Sequence, residues 1–385
     1  MQSSQIGFLL SFGLAFLLAT LSTHADPVSP DVPPPPNFNA SSYILVDYDS
    51  GKILAERDPD RKVEPASLTK IMTSYVAAEA LQSGAIKLSD TTTVSEKAWR
   101  MEGSRMFIEV NKQISVDDLL QGIIIQSGND ASVAIAEYVS GSEEVFSSVM
   151  NQHAKRLGME NSGFANSTGL PDPQTYTTAR DMAKLSVQFI RDFPNVYKRF
   201  AIQEFTYAGI PQHNRNRLLT RDPSVDGFKT GHTEAAGYCL VSSAKRGDMR
   251  LVAVVMGTES DAARTEASQA LLNYGFRFFE TRRIYSAGEV IAQAKVWKGE
   301  QESVGVGVHS DLFVTFPRGK YAAISAAAEI TNAVEAPIEL GQNIGQVVMK
   351  IKDKPLVTVP LTAVTAVARG SFFSRAIDEV LMRLE

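Results

Sequence analysis

The chain has 385 residues, of which 44% are hydrophobic and 21% are charged, and its formal net charge is −5. This length and composition are typical of a globular protein with room for two buried cores. The acidic balance argues against nucleic acid as a partner. Cys239 is the only cysteine, which excludes an intramolecular disulfide. The few histidines form no HExxH pattern, so we expect neither a metal site nor a cofactor.

The N-terminus has the features of an export signal. Residues 6–21 are apolar and precede Thr23-His24-Ala25, a small-residue cleavage site, so residues 1–25 are predicted to be a signal peptide. The segment lacks the usual Lys or Arg, and an uncleaved anchor stays open as the alternative. Residues 26–38 are rich in proline and predict a stiff, extended linker. We therefore expect an exported protein whose folded part begins near residue 39.

Residues 39–280 are predicted to form one domain in which helices cover a mainly antiparallel sheet, an α+β fold. Strands are predicted at residues 43–47, 52–55, 225–230, 237–244 and 250–256. Helices are predicted at residues 67–81, 116–125, from about 130 and at 261–279. Asp49-Ser50-Gly51 predicts a hairpin between the first two strands, and the last three strands are predicted to form an antiparallel meander.

The hydrophobic pattern changes in residues 281–370, where it predicts a separate, small all-β domain. The predicted strands are residues 304–308, 313–316, 347–351 and 357–361. Turn signals at Pro317-Arg318-Gly319 and Asp353-Lys354-Pro355 separate them. This part contains no candidate catalytic residue, and a spacer or binding module is the expected role.

Three short motifs occur in order within the first predicted domain: Ser67-Leu68-Thr69-Lys70, Ser127-Gly128-Asn129 and Lys229-Thr230-Gly231. An SxxK pattern alone is expected roughly once by chance in a chain of this length. Residues 242–245 are such a decoy, because they lie in a predicted strand, where positions i and i+3 point to opposite faces. Ser67 and Lys70 instead open a predicted helix, where positions i and i+3 share a face.

Ser67 is the candidate nucleophile and Lys70 the candidate base. A serine hydroxyl is a weak nucleophile until a base removes its proton, and a neutral amine one helical turn away serves if its pKa is lowered. Burial, the positive end of the helix and a second cation at Lys229 would each lower the pKa of Lys70. The alternative is that Lys70 is a solvated helix lysine.

The other two motifs can complete such a site. Ser127 can pass protons between the two lysines and the leaving amine, and Asn129 can hold the substrate backbone. Both could instead be helix-capping residues. Lys229-Thr230-Gly231 is predicted to lie on an edge strand, where an extended peptide can bind and Gly231 allows close approach. The backbone N–H groups of Ser67 and His232 are the predicted oxyanion hole.

Longer segments around the motifs resemble a known family. They are Pro65-Ala66-Ser67-Leu68-Thr69-Lys70, Gln126-Ser127-Gly128-Asn129-Asp130, Val225-Asp226-Gly227-Phe228-Lys229-Thr230-Gly231-His232-Thr233 and Gly275-Phe276-Arg277-Phe278-Phe279-Glu280-Thr281. From residue 42 to its end the chain is similar to low-molecular-mass penicillin-binding proteins, the D-alanyl-D-alanine carboxypeptidases of the type-5 group. The resemblance implies a penicillin-binding or β-lactamase-like transpeptidase fold followed by a small β domain.

The resemblance also implies a reaction and its ligands. A peptidoglycan stem peptide ending in D-Ala-D-Ala would acylate Ser67, the terminal D-Ala would leave, and water would release the shortened peptide. β-Lactam antibiotics would acylate the same serine. Arg215 and Arg264 correspond to family arginines near the site and, with Thr230, would recognise the free terminal carboxylate. A surface ion pair is the alternative for either arginine.

One segment departs from the family pattern. Between Trp99 and Met106 the chain has only residues 100–105, a shorter loop than expected at the rim of the site. The deacylation rate and the substrate selectivity are therefore left without a prediction.

Three other functions share part of this pattern. A class A β-lactamase needs a glutamate in an ExxLN segment, and none occurs between Asn129 and Lys229. A D,D-endopeptidase on the same fold stays open, because the sequence does not define the space beyond the scissile bond. A non-catalytic wall-binding scaffold is disfavoured by the intact motifs.

Residues 371–385 predict an amphipathic helix. Its apolar positions recur at helical spacing and are Phe372, Phe373, Ile377, Val380, Leu381 and Leu384. The segment has two positive and three negative charges, so binding to lipid must come mainly from the phenylalanines. With the resemblance, this predicts a periplasmic protein attached to the outer face of the cytoplasmic membrane. The alternative is a helix that packs on the β domain.

Overall fold

The structure is a computed structural model that describes residues 32–330 and 333–384. Residues 35–385 form one compact unit. The predicted signal peptide and the first part of the predicted linker lie outside the described residues.

Helices and strands alternate up to residue 278, and mostly strands follow. The helices are α1 Thr69–Gln82, α2 Glu96–Trp99, α3 Val116–Gln121, α4 Asn129–Ser140, α5 Glu143–Arg156, α6 Ala179–Asp192, α7 Pro194–Tyr197, α8 Leu218–Arg221, α9 Asp261–Phe278 and α10 Phe372–Met382. The strands before residue 260 are β1 Ser42–Asp47, β2 Ile53–Arg57, β3 Thr91–Thr93, β4 Gln113–Ser115, β5 Glu204–Tyr207, β6 Ile210–His213, β7 Val225–Thr233, β8 Gly237–Arg246 and β9 Met249–Thr258. The later strands are β10 Phe279–Tyr285, β11 Val290–Trp297, β12 Ser303–Gly307, β13 Leu312–Pro317, β14 Ile324–Ile330, β15 Val334–Glu335, β16 Asn343–Ile351 and β17 Lys354–Ala363.

The main sheet has five antiparallel strands in the order β2-β1-β9-β8-β7. The predicted hairpin is confirmed as β1 and β2, and the predicted meander is confirmed as β7, β8 and β9. Strand β7, which carries Lys229, lies at the edge of this sheet, as predicted. The α+β class is therefore confirmed for this part of the chain.

Helix α1 runs through the core beside this sheet. Its residues from Thr69 to Ala78 are all buried, which is the pattern of a helix enclosed on every side. The predicted helix start is shifted slightly, because Ser67 lies in a short 3₁₀ turn, Ala66–Leu68, that leads directly into α1. Ser115 caps α3 by accepting a hydrogen bond from the Asp118 N–H, as its sequence pattern predicts.

The β domain contains a six-stranded sheet, in the order β14-β16-β17-β12-β11-β15, and the separate pair β10 and β13. The four predicted strands are confirmed as β12, β13, β16 and β17. Strands β10, β11, β14 and β15 were not predicted. In β14 the reason is physical: it contains three consecutive alanines, which have low strand propensity, and most of its side chains are exposed.

A partly buried ring of hydrogen bonds joins the main sheet to the β domain. Asp47, at the end of β1, is completely buried and accepts hydrogen bonds from Ser50 Oγ and Thr281 Oγ1, both at 2.7 Å. The Thr315 hydroxyl lies 2.6 Å from Ser50 Oγ and 2.7 Å from Thr281 Oγ1. A buried carboxylate is unfavourable without hydrogen-bond donors. The ring therefore fixes the β1–β2 hairpin relative to the β10–β13 pair.

Helix α10 ends the described chain and contacts the β domain through its polar side. Lys298 donates its backbone N–H to Asp378 at 2.5 Å and its ammonium to Glu379 at 2.7 Å. The apolar side faces solvent, since Phe372 and Phe373 are 73% and 80% exposed. In the described part of the chain, no helix has the length and apolarity needed to cross a membrane.

Candidate active site

Ser67 and Lys70 meet at the junction between the 3₁₀ turn and α1. The Nζ atom of Lys70 lies 3.1 Å from Ser67 Oγ, which confirms that the two side chains share one face. Lys70 is completely buried, so the alternative of a solvated helix lysine is wrong.

The Lys70 amine has three hydrogen-bond partners. It donates to Asn129 Oδ1 and to the backbone oxygen of Thr168, both at 2.7 Å, and it contacts Ser67 Oγ. An ammonium uses all three partners, whereas a neutral amine has two hydrogens and a lone pair. The two carbonyl oxygens can only accept, so the Ser67 hydroxyl is the one partner that can donate to the lone pair. This geometry suits an amine that takes the proton of Ser67.

Burial first, and then the positive charge of Arg215, lower the pKa of Lys70 to about 7, while Asp130 opposes both. Lys229 is also buried, and its pKa lies well below the usual lysine range because of burial and the nearby charges of Lys70, Arg215 and Arg264. From the sequence, burial, the positive end of the helix and Lys229 were expected to lower the pKa of Lys70. Burial is the largest cause, whereas the second is Arg215, which was not expected in this role.

Ser127 lies between the π-helical end of the α3 segment and α4. Its φ of +66° is in the left-handed region, which residues other than glycine rarely adopt and which is common at functional sites. Its Oγ is buried and has no hydrogen-bond partner among the residues that the structure describes. A buried hydroxyl that keeps its donor and acceptor free can relay a proton once a substrate fills the cavity.

Asn129 is fastened within the protein by both ends of its carboxamide. Its Oδ1 accepts from Lys70, and its Nδ2 donates to the backbone oxygen of Glu102 at 2.6 Å. The backbone N–H of Asn129 donates to the oxygen of Ser104 at 2.7 Å. The short loop of residues 100–105 thus lies directly against the motif, and one amide hydrogen of Asn129 remains for a substrate.

Asp130, which sequence reasoning treated only as a helix start, anchors the chain after this loop. Its buried carboxylate accepts the backbone N–H groups of Met106, Phe107 and Ile108 at 3.0, 2.9 and 3.2 Å. The sequence feature that could have indicated this role is an acidic residue directly after Ser127-Gly128-Asn129, at the start of a helix.

Gly231 allows β7 to approach the turn that carries Ser67. A Cβ atom at this position would lie 3.0 Å from the backbone oxygen of Pro65 and 3.2 Å from Leu68 Cγ. Glycine is therefore needed for contact with the protein's own turn, whereas the sequence interpretation assigned the close approach to a bound peptide. Next to it, His232 is exposed and lies against Tyr238, with ring centroids 4.0 Å apart.

The two predicted arginines differ in their surroundings. Arg264 is 6% exposed, donates to the backbone oxygen of Gly231 at 3.0 Å and forms an ion pair with Asp261. Arg217 binds the same carboxylate at 2.6 Å. Arg215 is exposed and has no carboxylate partner within residues 32–330 and 333–384. Arg215 is thus available to bind an anion, whereas Arg264 is already engaged.

These groups surround one cavity of about 490 Å³. Its wall includes Ser67, Ser127, Asn129, Thr230, Gly231, His232, Arg215 and Arg264 together with Gly103, Ser104 and Thr168. The structure therefore brings most of the predicted site residues to a single opening. Lys70 and Lys229 are buried and do not line the cavity.

Comparison with known proteins agrees with this geometry. A family profile described as D-alanyl-D-alanine carboxypeptidase matches residues 29–260, and one described as penicillin-binding protein 5, C-terminal domain, matches residues 279–369. The chain therefore belongs to the D-alanyl-D-alanine carboxypeptidase family, which makes it a serine peptidase, as the resemblance predicted.

Individual relatives span nearly the whole chain. D-alanyl-D-alanine carboxypeptidase DacC of Escherichia coli (strain K12) is 44% identical over 356 residues, which cover 90% of this chain and 89% of the relative. DacA of Haemophilus influenzae is 40% identical over 390 residues, covering 100% and 98%. The crystal structure of penicillin-binding protein 5 from Haemophilus influenzae is similar with a TM-score of 0.85 and 42% identity, covering 87% of this chain and 99% of that one.

The low pKa of Lys70 predicts how acylation depends on pH. The neutral amine accepts the Ser67 proton, so the rate of acylation by a fluorescent penicillin should rise with pH and reach half its plateau near pH 7. Lys70→Arg keeps the charge but stays protonated, and should lower the rate by roughly 10²- to 10⁴-fold at every pH. Lys245→Arg, in the decoy motif, is the matched control and should leave the rate unchanged. Normal acylation by Lys70→Arg would show that Lys70 is not the base.

Proposed function

We propose that this protein removes the terminal D-alanine from peptidoglycan stem pentapeptides through an acyl-enzyme on Ser67. The observation that carries the proposal is the buried Lys70 amine, 3.1 Å from Ser67 Oγ, with its other two hydrogens held by carbonyl oxygens. This arrangement activates a serine without histidine. Membership of the D-alanyl-D-alanine carboxypeptidase family supports D-Ala-D-Ala as the substrate group.

The reaction proceeds in two stages. Lys70 takes the hydroxyl proton as Ser67 attacks the carbonyl of the penultimate D-Ala, and the N–H groups of Ser67 and His232 stabilise the oxyanion. Ser127 passes the proton from Lys70 to the leaving amine of D-Ala, and the low pKa of Lys229 lets it share that proton. Water then hydrolyses the ester. A β-lactam acylates Ser67 in the same way.

Mass analysis of the products from a D-Ala-D-Ala pentapeptide tests this function. The protein should release one D-Ala and leave a tetrapeptide, and Ser67→Ala should release none and bind no penicillin covalently. Ser242→Ala, the serine of the decoy motif, should behave as the unmodified protein does. A covalent penicillin adduct on the Ser67→Ala variant would show that another residue is the nucleophile.

Penicillin labelling and peptide substrates also distinguish a carboxypeptidase from a β-lactamase, a D,D-endopeptidase and a non-catalytic scaffold. A fluorescent penicillin label persists on a carboxypeptidase, clears quickly from a β-lactamase and never attaches to a non-catalytic scaffold. A D,D-endopeptidase would instead cut a crosslinked peptide dimer. Three arginines in the cavity wall, Arg215, Arg217 and Arg264, favour a small leaving group with a free carboxylate over a crosslinked chain.

We further propose that Arg215 binds the terminal carboxylate, while Arg264 holds β7 and Asp261 in place. Arg215→Ala should then slow hydrolysis of the pentapeptide by roughly tenfold or more, since a charged hydrogen bond is lost, but should slow acylation by an ester that lacks a free carboxylate much less. Arg264→Ala should slow both reactions. Arg217→Ala removes a neighbouring cation and serves as the control. Equal losses on both substrates for Arg215→Ala would contradict the assignment.

We also propose that the protein is exported, acts in the periplasm and lies on the outer face of the cytoplasmic membrane through α10. The support is the contrast between the two sides of this helix. Asp378 and Glu379 bind Lys298 of the β domain, and the exposed side carries Phe372 and Phe373. An exposed apolar stripe on a helix that the protein already holds in place suits insertion into a lipid surface.

Membrane fractionation tests the anchor. Full-length protein should sediment with membranes, and a chain that ends at Gly370 should remain in the supernatant. Replacing Phe372 and Phe373 together by Ser should release most of the protein, because these residues supply much of the apolar area. Leu340→Ser, at a residue that is 70% exposed on the β domain, is the matched control and should have no effect. A full-length protein as soluble as the truncated one would exclude the anchor.

A further inference from the structure

One peptide group beside the active site is held at both of its ends. The Thr168 carbonyl accepts a hydrogen bond from Lys70 Nζ at 2.7 Å. The N–H of the same peptide, which belongs to Gly169, donates to Asn166 Oδ1, also at 2.7 Å. Because a peptide group is planar and trans, its N–H and its carbonyl point in opposite directions. Fixing the N–H therefore fixes the direction of the carbonyl.

The carboxamide of Asn166 organises the whole of this loop. Its Oδ1 also accepts from the N–H of Thr168 at 3.1 Å and from Thr168 Oγ1 at 2.9 Å. Its Nδ2 donates to the backbone oxygen of Leu170 at 3.1 Å. A single side chain thus makes four hydrogen bonds to residues 168–170 and is their common partner.

Gly169 shows why such a partner is needed. Its φ is +80°, and a Cβ atom there would lie 1.8 Å from the backbone oxygen of Ala66, next to Ser67. The loop can approach the Ser67 turn only with glycine at this position. Glycine has the widest backbone freedom of all residues, so nothing in the residue itself keeps the adjacent peptide in one orientation.

The Thr168 carbonyl matters because it accepts one of the hydrogens of the Lys70 amine. A neutral Lys70 has two hydrogens, which Asn129 Oδ1 and the Thr168 oxygen accept, and its lone pair is then directed at Ser67. Without the Thr168 oxygen, the amine can rotate and turn a hydrogen toward Ser67 instead. The proton transfer depends on both acceptors.

We propose that Asn166 is a positioning residue for the reaction, which keeps the Thr168 carbonyl on Lys70 and so aims the lone pair of Lys70 at Ser67. The inference rests on the proposed role of Lys70 as the base. Asn166 touches neither the serine nor the cavity that binds substrate, and acts only through the peptide that it holds.

Charged groups approach Lys70 from several elements. They are Asp130 on α4, Lys229 on β7 and Arg215 before α8. Asn166 is uncharged, so its replacement by alanine changes the titration of Lys70 only through the lost acceptor. Its replacement by aspartate keeps an acceptor for Gly169 N–H and adds a negative charge. The two variants therefore make opposite predictions.

The experiment measures the acylation rate constant with a fluorescent penicillin across the pH range for the full protein and its variants. Asn166→Ala should lower the plateau rate by roughly 100-fold, the cost of a small misplacement of a catalytic group. It should also shift the rising limb to lower pH, because the ammonium loses an acceptor. Asn166→Asp should restore most of the plateau and shift the limb to higher pH, because the added charge favours the ammonium.

Asn151, on α5, provides a matched control. Its carboxamide binds the N–H of Phe164 at 2.9 Å and the oxygens of Phe164 and Ser147 at 2.8 and 3.0 Å, away from the Thr168–Gly169 peptide. Asn151→Ala should lower the thermal unfolding midpoint and leave the pH limb in place. If Asn166→Ala does not yield folded protein, Asn166→Ser, whose side chain is one atom shorter than the carboxamide, replaces it.

The outcomes separate this inference from the proposed function. The positioning role is wrong if the Asn166 truncation keeps the plateau acylation rate and the pH dependence of the unmodified protein. It is also wrong if Asn151→Ala shifts the pH dependence by as much as the Asn166 truncation does. Normal acylation by Lys70→Arg instead overturns the role of Lys70 itself. Loss of acylation in Lys70→Arg with no effect of the Asn166 truncation leaves the function intact and removes only the inference.

Discussion

Taking the amine of Lys70 out of water is unfavourable unless its hydrogens find acceptors, and the catalytic domain is arranged around this requirement. The 3₁₀ turn, the start of α4 and the loop before residue 170 each place one oxygen on the amine. The same burial, together with the positive charge of Arg215, lowers its pKa to about 7, so the group that is costly to bury is also the group that can act as a base near neutral pH.

Two separate segments must approach the Ser67 turn closely for this arrangement to exist, and a third must be held beside Asn129. Gly231 lets β7 pack on one side of the turn, and Gly169 lets the loop pack on another. Asp130 then fixes the chain from Met106 to Ile108 by its backbone N–H groups. A larger residue at either glycine would move an oxygen or a lysine of the site, so packing and catalysis impose the same constraint.

Sequence periodicity was sufficient to predict that Ser67 and Lys70 share a helical face and that Lys229 lies on an edge strand, because spacing and turn signals determine both. It did not predict the Thr168 carbonyl, since every residue carries one and only the tertiary fold selects which one meets Lys70. The sequence also could not predict that Arg264 is ion-paired and Arg215 is not, because Asp261 becomes the partner of Arg264 only in the folded chain. Strand β14 was missed because its pairing with β16, rather than its alanine-rich sequence, makes it a strand.

Polar contacts join the main sheet to the β domain and the β domain to the C-terminal helix. Strand β1 belongs to the same sheet as β7, and its Asp47 shares the partly buried ring with Thr281 and Thr315 of the β domain. Lys298, which follows β11, holds Asp378 and Glu379 of α10. The hydrogen bonds around Asp47 are partly buried, which strengthens them relative to hydrogen bonds in water. The described polar contacts therefore tie α10 to the β domain, and the β domain to the sheet that carries Lys229.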